Sequence, residues 1–228
     1  MIAPPRVRVR SCDDQRKSCF RLILLRHPQA GLHGRFCGHS DPELSEEGRR
    51  AIAGIVSHLD GTSLSAVWSS DLVRAKASAT SIAEHFGVTC KFSVALREMN
   101  FGLWEGLSWK EVEERFPEDA RSWIQRFPHH RPSGGESFVE FQSRVIAELK
   151  RLATFADGWK LVVTHAGFIQ VATAWALAIP DGRISRIAVD YCGAVVLQKT
   201  GEYWTVGVPN SIEWTCSPGV LTAEESRA

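Results

Sequence analysis

Short apolar runs alternate with amphipathic stretches along most of this chain. Four runs have the length and composition of buried strands, and they cover residues 21–26, 65–69, 88–94 and 160–164. Apolar residues at helical spacing predict helices that begin near residues 45, 72, 137 and 168. Gly87 is placed to end the second of these helices, because glycine readily adopts the left-handed conformation of a helix C-terminus. Ser-x-x-Glu sequences at Ser108 and Ser137 match the capping box and predict helix starts.

The carboxyl-terminal part of the chain changes this alternation. Three further strands are predicted without helices between them, at residues 184–189, 194–198 and 204–208. Alternating elements followed by consecutive strands predict a three-layer α/β/α fold, with a mostly parallel sheet and an antiparallel edge. Residues 21–210 contain no internal repeat or low-complexity linker, so we expect one domain. Residues 1–20 are expected to be a flexible extension, and residues 211–228 a second tail.

Composition and charge narrow the classes of partner. The 228 residues carry 27 Lys+Arg against 26 Asp+Glu, a net charge of +1, which gives no support for nucleic-acid or membrane-surface binding. No apolar run reaches the roughly 18 residues needed to cross a bilayer. The six cysteines form no C-x-x-C pair, so a zinc site or a disulfide framework is not indicated. We expect a cytoplasmic protein.

Polar clusters follow several of the predicted strands. Arg26 and His27 end the first strand, Arg74 follows the second, and His165 follows the fourth, while Arg97 and Glu98 lie in a loop between elements. Ligands of open α/β sheets bind beyond the carboxyl ends of the strands, so the clusters that follow the first, second and fourth strands are expected to share one crevice.

This set of side chains suits a phosphoryl group. Arginine forks match phosphate oxygens, a neutral imidazole is a competent nucleophile, and a carboxyl group with a raised pKa can protonate a leaving oxygen. Neither a G-x-x-x-x-G-K-[ST] loop nor an H-E-x-x-H motif is present, and no metal or cofactor is expected.

Several sequence blocks, in order, resemble the histidine phosphatase superfamily, the group that contains cofactor-dependent phosphoglycerate mutase. The blocks are Leu24–His27, Gly34–Asp41, Leu44–Gly48, Ser69–Ala75, Leu96–Gly106, Pro132–Ser137 and Val163–Gly167. The resemblance extends over residues 21 to 200 and implies a phosphoglycerate mutase-like fold. It further implies a metal-independent phosphatase that acts on a small phosphorylated metabolite.

The resemblance also implies a role for each candidate residue. His27 would be the nucleophile that becomes phosphohistidine, and Glu98 would protonate the leaving oxygen and then deprotonate the attacking water. The residues expected to bind the phosphoryl group are Arg26, Arg74, His165 and Gly38. Gly38 could instead be a simple turn residue, and Glu98 could instead be an ion-pair partner of Arg97 or another arginine.

Three features depart from the family pattern. Pro28 stands where glycine is usual, the loop from His27 to Gly38 is short and offers only His33 for a customary polar residue, and Lys76–Ala79 replaces a polar stretch. An Arg-His-Pro opening with a compact loop most resembles the α-ribazole phosphatase branch, which works in cobalamin assembly.

Three functions remain open from the sequence. The first is hydrolysis of a phosphomonoester, and the second is phosphoryl transfer of the mutase type. The short segment between Glu98 and His165 favours hydrolysis, because the corresponding segment is typically longer in the mutases. The third is a catalytically weak phosphate-binding protein, for which Pro28 and the altered loop are the motivation.

Overall fold

A computed structural model describes residues 19–155, 158–201 and 203–207 of the protein. Its strands are β1 Cys19–Arg26, β2 Leu64–Ser70, β3 Cys90–Ser93, β4 Trp159–Thr164, β5 Ala194–Thr200 and β6 Tyr203–Gly207. Its helices are α1 Glu46–Leu59, α2 Val73–Phe86, α3 Trp109–Arg115, α4 Pro117–Arg126, α5 Phe138–Leu152 and α6 Ala166–Ala176. Short 3-10 helices cover Val94–Leu96, Gly102–Trp104 and Asp181–Arg186.

The six strands form one sheet in the order β3-β2-β4-β1-β5-β6. The pairs β2–β3, β2–β4 and β1–β4 are parallel, whereas β1–β5 and β5–β6 are antiparallel. This arrangement confirms the predicted parallel sheet with an antiparallel edge. The edge follows from the sequence, since β5 and β6 are joined by a tight connection that leaves no room for a crossover helix.

Both faces of the sheet are covered by helices, because successive residues of the central strands point to opposite sides. Leu22 and Leu24 of β1 belong to a core shared with α5 and α6, and Ile23 and Leu25 belong to a core shared with α1 and α2. All four side chains are buried. The four consecutive apolar residues of β1 are therefore explained by burial on two sides, as the run 21–26 predicted.

The predicted helix ends are mostly confirmed. Capping boxes begin α3 at Ser108 and α5 at Ser137, with the serine and the glutamate three residues later bonded reciprocally. Gly87 ends α2 in the left-handed region, at φ 62°. Helix α4, which begins with Pro117 at its first turn, was not predicted.

The predicted strand at residues 184–189 is wrong. Asp181–Arg186 is a 3-10 helix, and within it Ile184 is buried in the core beside α6. A short run with few apolar residues fits strand and helix spacing equally well, and here Pro180 immediately precedes a turn of 3-10 helix. The third strand ends at Ser93, one residue before its predicted end, where the chain enters another 3-10 turn.

The limits of the predicted domain fall partly outside the described residues. Strand β1 begins at Cys19, within the expected extension, and residues 1–18 and 208–228 lie outside the described part of the chain. Within the described ranges, no helix is both long and apolar enough to cross a bilayer.

Candidate active site

His27 lies directly beyond the end of β1, where its backbone N–H donates to the Thr164 carbonyl of β4 at 2.9 Å. The ring is 5% exposed, and its Nδ1 lies 2.7 Å from the Pro28 carbonyl oxygen. A carbonyl only accepts hydrogen bonds, so Nδ1 carries the proton and Nε2 carries the lone pair. Burial, aided by the Arg74 charge, lowers the pKa of His27 to about 3 and keeps the ring neutral.

Arg74, in the first turn of α2, places a fixed positive charge against this nitrogen. Its side chain is fully buried, and its Nε donates to His27 Nε2 at 3.3 Å. The two Nη atoms donate to the carbonyls of Ser40, Cys37 and Gly38 at 2.6, 3.1 and 2.7 Å. The guanidinium is therefore held by one loop and oriented towards the imidazole.

The N–H of Gly38 does not face the crevice as a phosphate donor, contrary to expectation. Its N–H donates to Glu105 Oε2 at 2.9 Å, and the same carboxylate accepts the N–H groups of His39 and Ser40. The amide is therefore already engaged, and Gly38 serves the site through the carbonyl that holds Arg74. A Cβ at this position would collide with the Met99 carbonyl, so the close approach of the two loops requires glycine.

Glu105 is a residue whose importance the sequence reasoning missed. It lies in the block Leu96–Gly106, where only its nearness to Glu98 was noted. Burial raises its pKa, but the hydrogen bonds from the loop amides outweigh burial and leave the pKa of Glu105 below its ordinary value. Among the described residues it joins the acid-bearing loop to the loop that orients Arg74.

Arg26 reaches the same crevice from the end of β1. Its Nη1 donates to the Val189 carbonyl at 2.7 Å, and its guanidinium carbon lies 3.8 Å from the centre of the Tyr191 ring. Its buried Nε has no hydrogen-bond partner among the described residues. Tyr191 was not identified from the sequence, because it follows the segment that was wrongly predicted as a strand.

His165 lies beyond the end of β4 at the N-terminus of α6, and its ring centre is 5.0 Å from that of His27. The side chain is 1% exposed, yet neither ring nitrogen has a hydrogen-bond partner in the described part of the chain. Burial and the nearby positive groups hold the pKa of His165 well below its ordinary value. Buried polar atoms are costly to leave unpaired, so this ring is suited to bind an atom of a ligand.

Glu98 follows the 3-10 helix Val94–Leu96 and presents its carboxylate to α6. Its Oε1 accepts the N–H of Met99 and its Oε2 accepts the N–H of Gly167, both at 2.9 Å. Burial raises the pKa of Glu98, in opposition to these hydrogen bonds and to the charges of Arg74 and Arg26. A carboxyl group of raised pKa can hold a proton for a leaving oxygen.

The alternative that Glu98 pairs with Arg97 is wrong. Arg97 makes a bidentate ion pair with Asp71 at 2.7 and 2.5 Å, and Glu98 forms no ion pair with any arginine of the described residues. Gly167 lies so close to the Glu98 carboxylate that a Cβ would collide with it. The segment Val163–Gly167 therefore supplies both the second histidine and a glycine that admits the acid.

A cavity of about 500 Å³ adjoins His27. Arg26, His27 and Glu98 line it together with an aromatic wall formed by Phe36, Phe101, Trp109 and Tyr191. His33 also lines the cavity, with its ring centre 6.3 Å from that of Tyr191. Within the described ranges, no group of three or more His, Cys, Asp or Glu side chains is placed to hold a metal ion.

The family model for the histidine phosphatase superfamily, branch 1, matches residues 22–211 of the chain. The chain belongs to the histidine phosphatase superfamily. That finding confirms the resemblance drawn from the sequence blocks.

Named relatives of the chain include phosphatases. An adenosylcobalamin/α-ribazole phosphatase of Escherichia coli is 28% identical over 194 residues, which cover 84% of this chain and 96% of that protein. The crystal structure of an α-ribazole phosphatase from Shigella flexneri superposes with a TM-score of 0.78 at 25% identity, covering 88% of this chain and 99% of that one. This likeness is consistent with the branch that the Arg-His-Pro opening indicated.

A bifunctional protein of Mycobacterium tuberculosis has a higher identity but is much longer. It is 36% identical over 176 residues, which cover 75% of this chain and 48% of that protein. The chain therefore spans about half the length of this relative, and the activity of the whole relative does not transfer to it.

Proposed function

We propose that this protein is a phosphomonoesterase that works through a phosphohistidine formed on His27. The observation that carries the proposal is that Nε2 of His27 is unprotonated. The Pro28 carbonyl fixes the proton on Nδ1, so the Nε2 lone pair faces the crevice beside Arg74 and His165. Pro28 departs from the usual glycine, but its carbonyl serves the nucleophile, which argues against a merely phosphate-binding protein.

In the first step, Nε2 of His27 attacks the phosphorus atom and the bond from phosphorus to the leaving oxygen breaks. Glu98, in the protonated form that its raised pKa favours, gives its proton to that oxygen. The Nε–H of Arg74 then donates to a phosphoryl oxygen instead of to the imidazole. The single N–H of neutral His165 and the unpaired Nε–H of Arg26 are further donors. The Nδ1–H of His27 stays bonded to Pro28, which stabilises the positive charge of the phosphorylated ring.

In the second step, the Glu98 carboxylate takes a proton from water, and the resulting hydroxide oxygen attacks phosphorus. The phosphorus–nitrogen bond breaks, its electron pair returns to Nε2, and phosphate leaves. Each group ends as it began, with Glu98 protonated and His27 neutral. Because arginine and histidine supply the charge in both steps, we propose that the reaction proceeds without a metal ion.

The cavity walls favour a leaving group with a ring. Phe36 lies 4.8 Å from Phe101 and 6.3 Å from Trp109, and Tyr191 lies 5.8 Å from His27, all measured between ring centres. Flat apolar rings pack well against such surfaces. We therefore propose a small phosphorylated metabolite whose alcohol carries a ring, with α-ribazole phosphate of cobalamin assembly as the first compound to test.

The experiment combines trapping with a substrate panel. Rapid acid-free quenching with ³²P-labelled substrate is expected to leave label on His27 of the wild type and none on His27→Ala, whereas label on a serine or cysteine would overturn the mechanism. Turnover in EDTA is expected to equal turnover without it. Strict dependence on a bisphosphate primer, with little phosphate released, would indicate the mutase reaction instead.

The ring preference is tested with matched esters. 2-Phenylethyl phosphate and propyl phosphate have alcohols of similar acidity, so a difference in kcat/KM reports binding of the ring. We expect the ring ester to be favoured about tenfold or more, since burial of a ring exceeds the 1.4 kcal/mol that a factor of ten requires. Equal kcat/KM values would remove the ring from the proposal.

A further inference from the structure

The segment that carries Glu98 lies between a 3-10 turn and a loop, and other side chains hold its backbone. Four successive carbonyls, at residues 95 to 98, accept hydrogen bonds from side chains. Arg144 of α5 donates through Nη1 to Ala95 and Arg97, both at 3.0 Å, and through Nη2 to Glu98 at 3.1 Å. Thr164 Oγ1 donates to the remaining carbonyl, that of Leu96, at 2.7 Å.

A carboxylate completes this arrangement from the other side. Glu136 Oε1 accepts from Arg144 Nη2 at 2.6 Å and from the backbone N–H of Asn100 at 2.9 Å. The N–H of Glu136 in turn donates to the Asn100 carbonyl at 3.0 Å. The pair of Arg144 and Glu136 therefore brackets the chain on both sides of Glu98 and fixes it to the start of α5.

Arg144 acts on the backbone of Glu98 and not on its carboxylate. The described hydrogen bonds of that carboxylate come from Met99 and Gly167. With the backbone fixed, a single side chain direction brings Glu98 to the crevice. General-acid catalysis depends steeply on such placement, because a proton must pass over one hydrogen-bond distance.

We propose that Arg144, seated on Glu136, is the positioning residue for the general acid Glu98, an inference that rests on the proposed function. A lysine at position 144 would keep the charge but not the fork, so its ammonium could not span three carbonyls and a carboxylate. The backbone of residues 95–98 would then no longer hold the Glu98 carboxylate in one position, while the positions of His27 and Arg74 would be unchanged.

Leaving-group dependence separates positioning from a merely structural role. The phenolate of an activated aryl phosphate leaves without being protonated, whereas the alkoxide of an alkyl phosphate needs a proton to leave. Loss of acid placement therefore steepens the dependence of kcat/KM on leaving-group pKa. For Arg144→Lys we expect kcat/KM for an activated aryl phosphate within about threefold of the wild type. For an alkyl phosphate we expect a loss of about 30-fold or more, within the range of general-acid contributions.

Two further variants make the result decisive. Glu136→Gln removes the support of Arg144 and is expected to steepen the same dependence to a smaller extent. Arg151→Lys is the matched control, because Arg151 lies on the same helix and makes a bidentate pair with Glu148 at 2.7 and 2.7 Å, remote from the acid segment. It is expected to lower thermal stability without changing the leaving-group dependence.

Equal losses of kcat/KM for aryl and alkyl esters in both Arg144→Lys and Glu136→Gln would overturn the inference. If Arg144→Lys does not fold, the result for Glu136→Gln alone decides. Glu98→Gln identifies the other kind of failure. If Glu98→Gln itself slows all esters equally, the acid assignment in the proposed function is wrong. If Glu98→Gln steepens the dependence and the two positioning variants do not, only the role of Arg144 is wrong.

Discussion

The depressed pKa of His27 makes a stability prediction that needs no substrate. The perturbation is a change of pH from 7.0 to 4.5, applied to the wild type and to His27→Asn. In the folded protein, burial and Arg74 lower the pKa to about 3, whereas an unfolded chain titrates near 6.5. The unfolded state therefore takes up the proton first as pH falls. Stability from this group is complete above pH 6.5 and is lost towards pH 3.

The magnitude follows from the two pKa values. Each pH unit between them costs about 1.4 kcal/mol, so the fall from pH 6.5 to 4.5 removes roughly 2.7 kcal/mol. That is a large share of the 5–15 kcal/mol by which domains are typically stable. The pKa of His165 is depressed as well, so its contribution falls in the same direction. Because His27 is one cause of that depression, the contribution of His165 is smaller in the variant.

The assay is urea unfolding followed by tryptophan fluorescence and by circular dichroism, in buffers free of phosphate. Between pH 7.0 and 4.5 we expect the wild type to lose roughly 2–3 kcal/mol more than His27→Asn. Coincident transitions by the two probes confirm that the free energies are comparable. Equal losses in the two proteins would refute a neutral, buried His27.

Four other predictions concern the crevice. kcat/KM is expected to fall as pH rises through the raised pKa of Glu98, and Glu98→Gln to abolish that limb of the pH profile. Arg74→Lys should lower kcat about 10²–10³-fold, because lysine cannot hold three carbonyls and still face the phosphoryl group. Inorganic phosphate at about 100 times its Kd should stabilise the wild type by about 2.7 kcal/mol, and His165→Ala much less at the same concentration. Glu105→Gln should weaken phosphate binding while leaving the activated-to-alkyl rate ratio unchanged, as measured by calorimetry and by turnover.

Most of the sheet was predictable because burial on two sides requires consecutive apolar residues, which are visible in the sequence. The runs that became β1, β2 and β4 have consecutive apolar residues at their centres, and helices α1, α3 and α5 each begin at a serine that caps them. The segment 181–186 has no such run of apolar residues. Its one deeply buried side chain in the turn, Ile184, fixes no period, and the placement of Tyr191 over Arg26 depends on contacts 165 residues apart in number.

The candidate site was predictable only where function resides in local motifs. Arg26, His27, Arg74, Glu98 and His165 follow elements whose ends the sequence marks, and the structure gathers them in one crevice. The residues that hold these side chains in place do so through hydrogen bonds between positions far apart in the sequence, and such positions show no periodicity. Gly38 and Glu105 are 67 positions apart, and Arg144 lies 49 positions from Ala95. No local pattern distinguishes such partners from ordinary surface charges.

The parallel register of β1 and β4 has a consequence for how the protein can change. Arg26 pairs with Thr164, so the two histidines are the next residues on adjacent strands, and their 5.0 Å ring separation matches the roughly 4.8 Å interval between hydrogen-bonded strands. The separation of the two histidine rings is thus set by the hydrogen-bonded backbones of β1 and β4 rather than by any loop. Under the proposed function, mutations in the segments around His33 and Tyr191 would change which alcohol is accepted, while the spacing of the two histidines would stay fixed by the sheet.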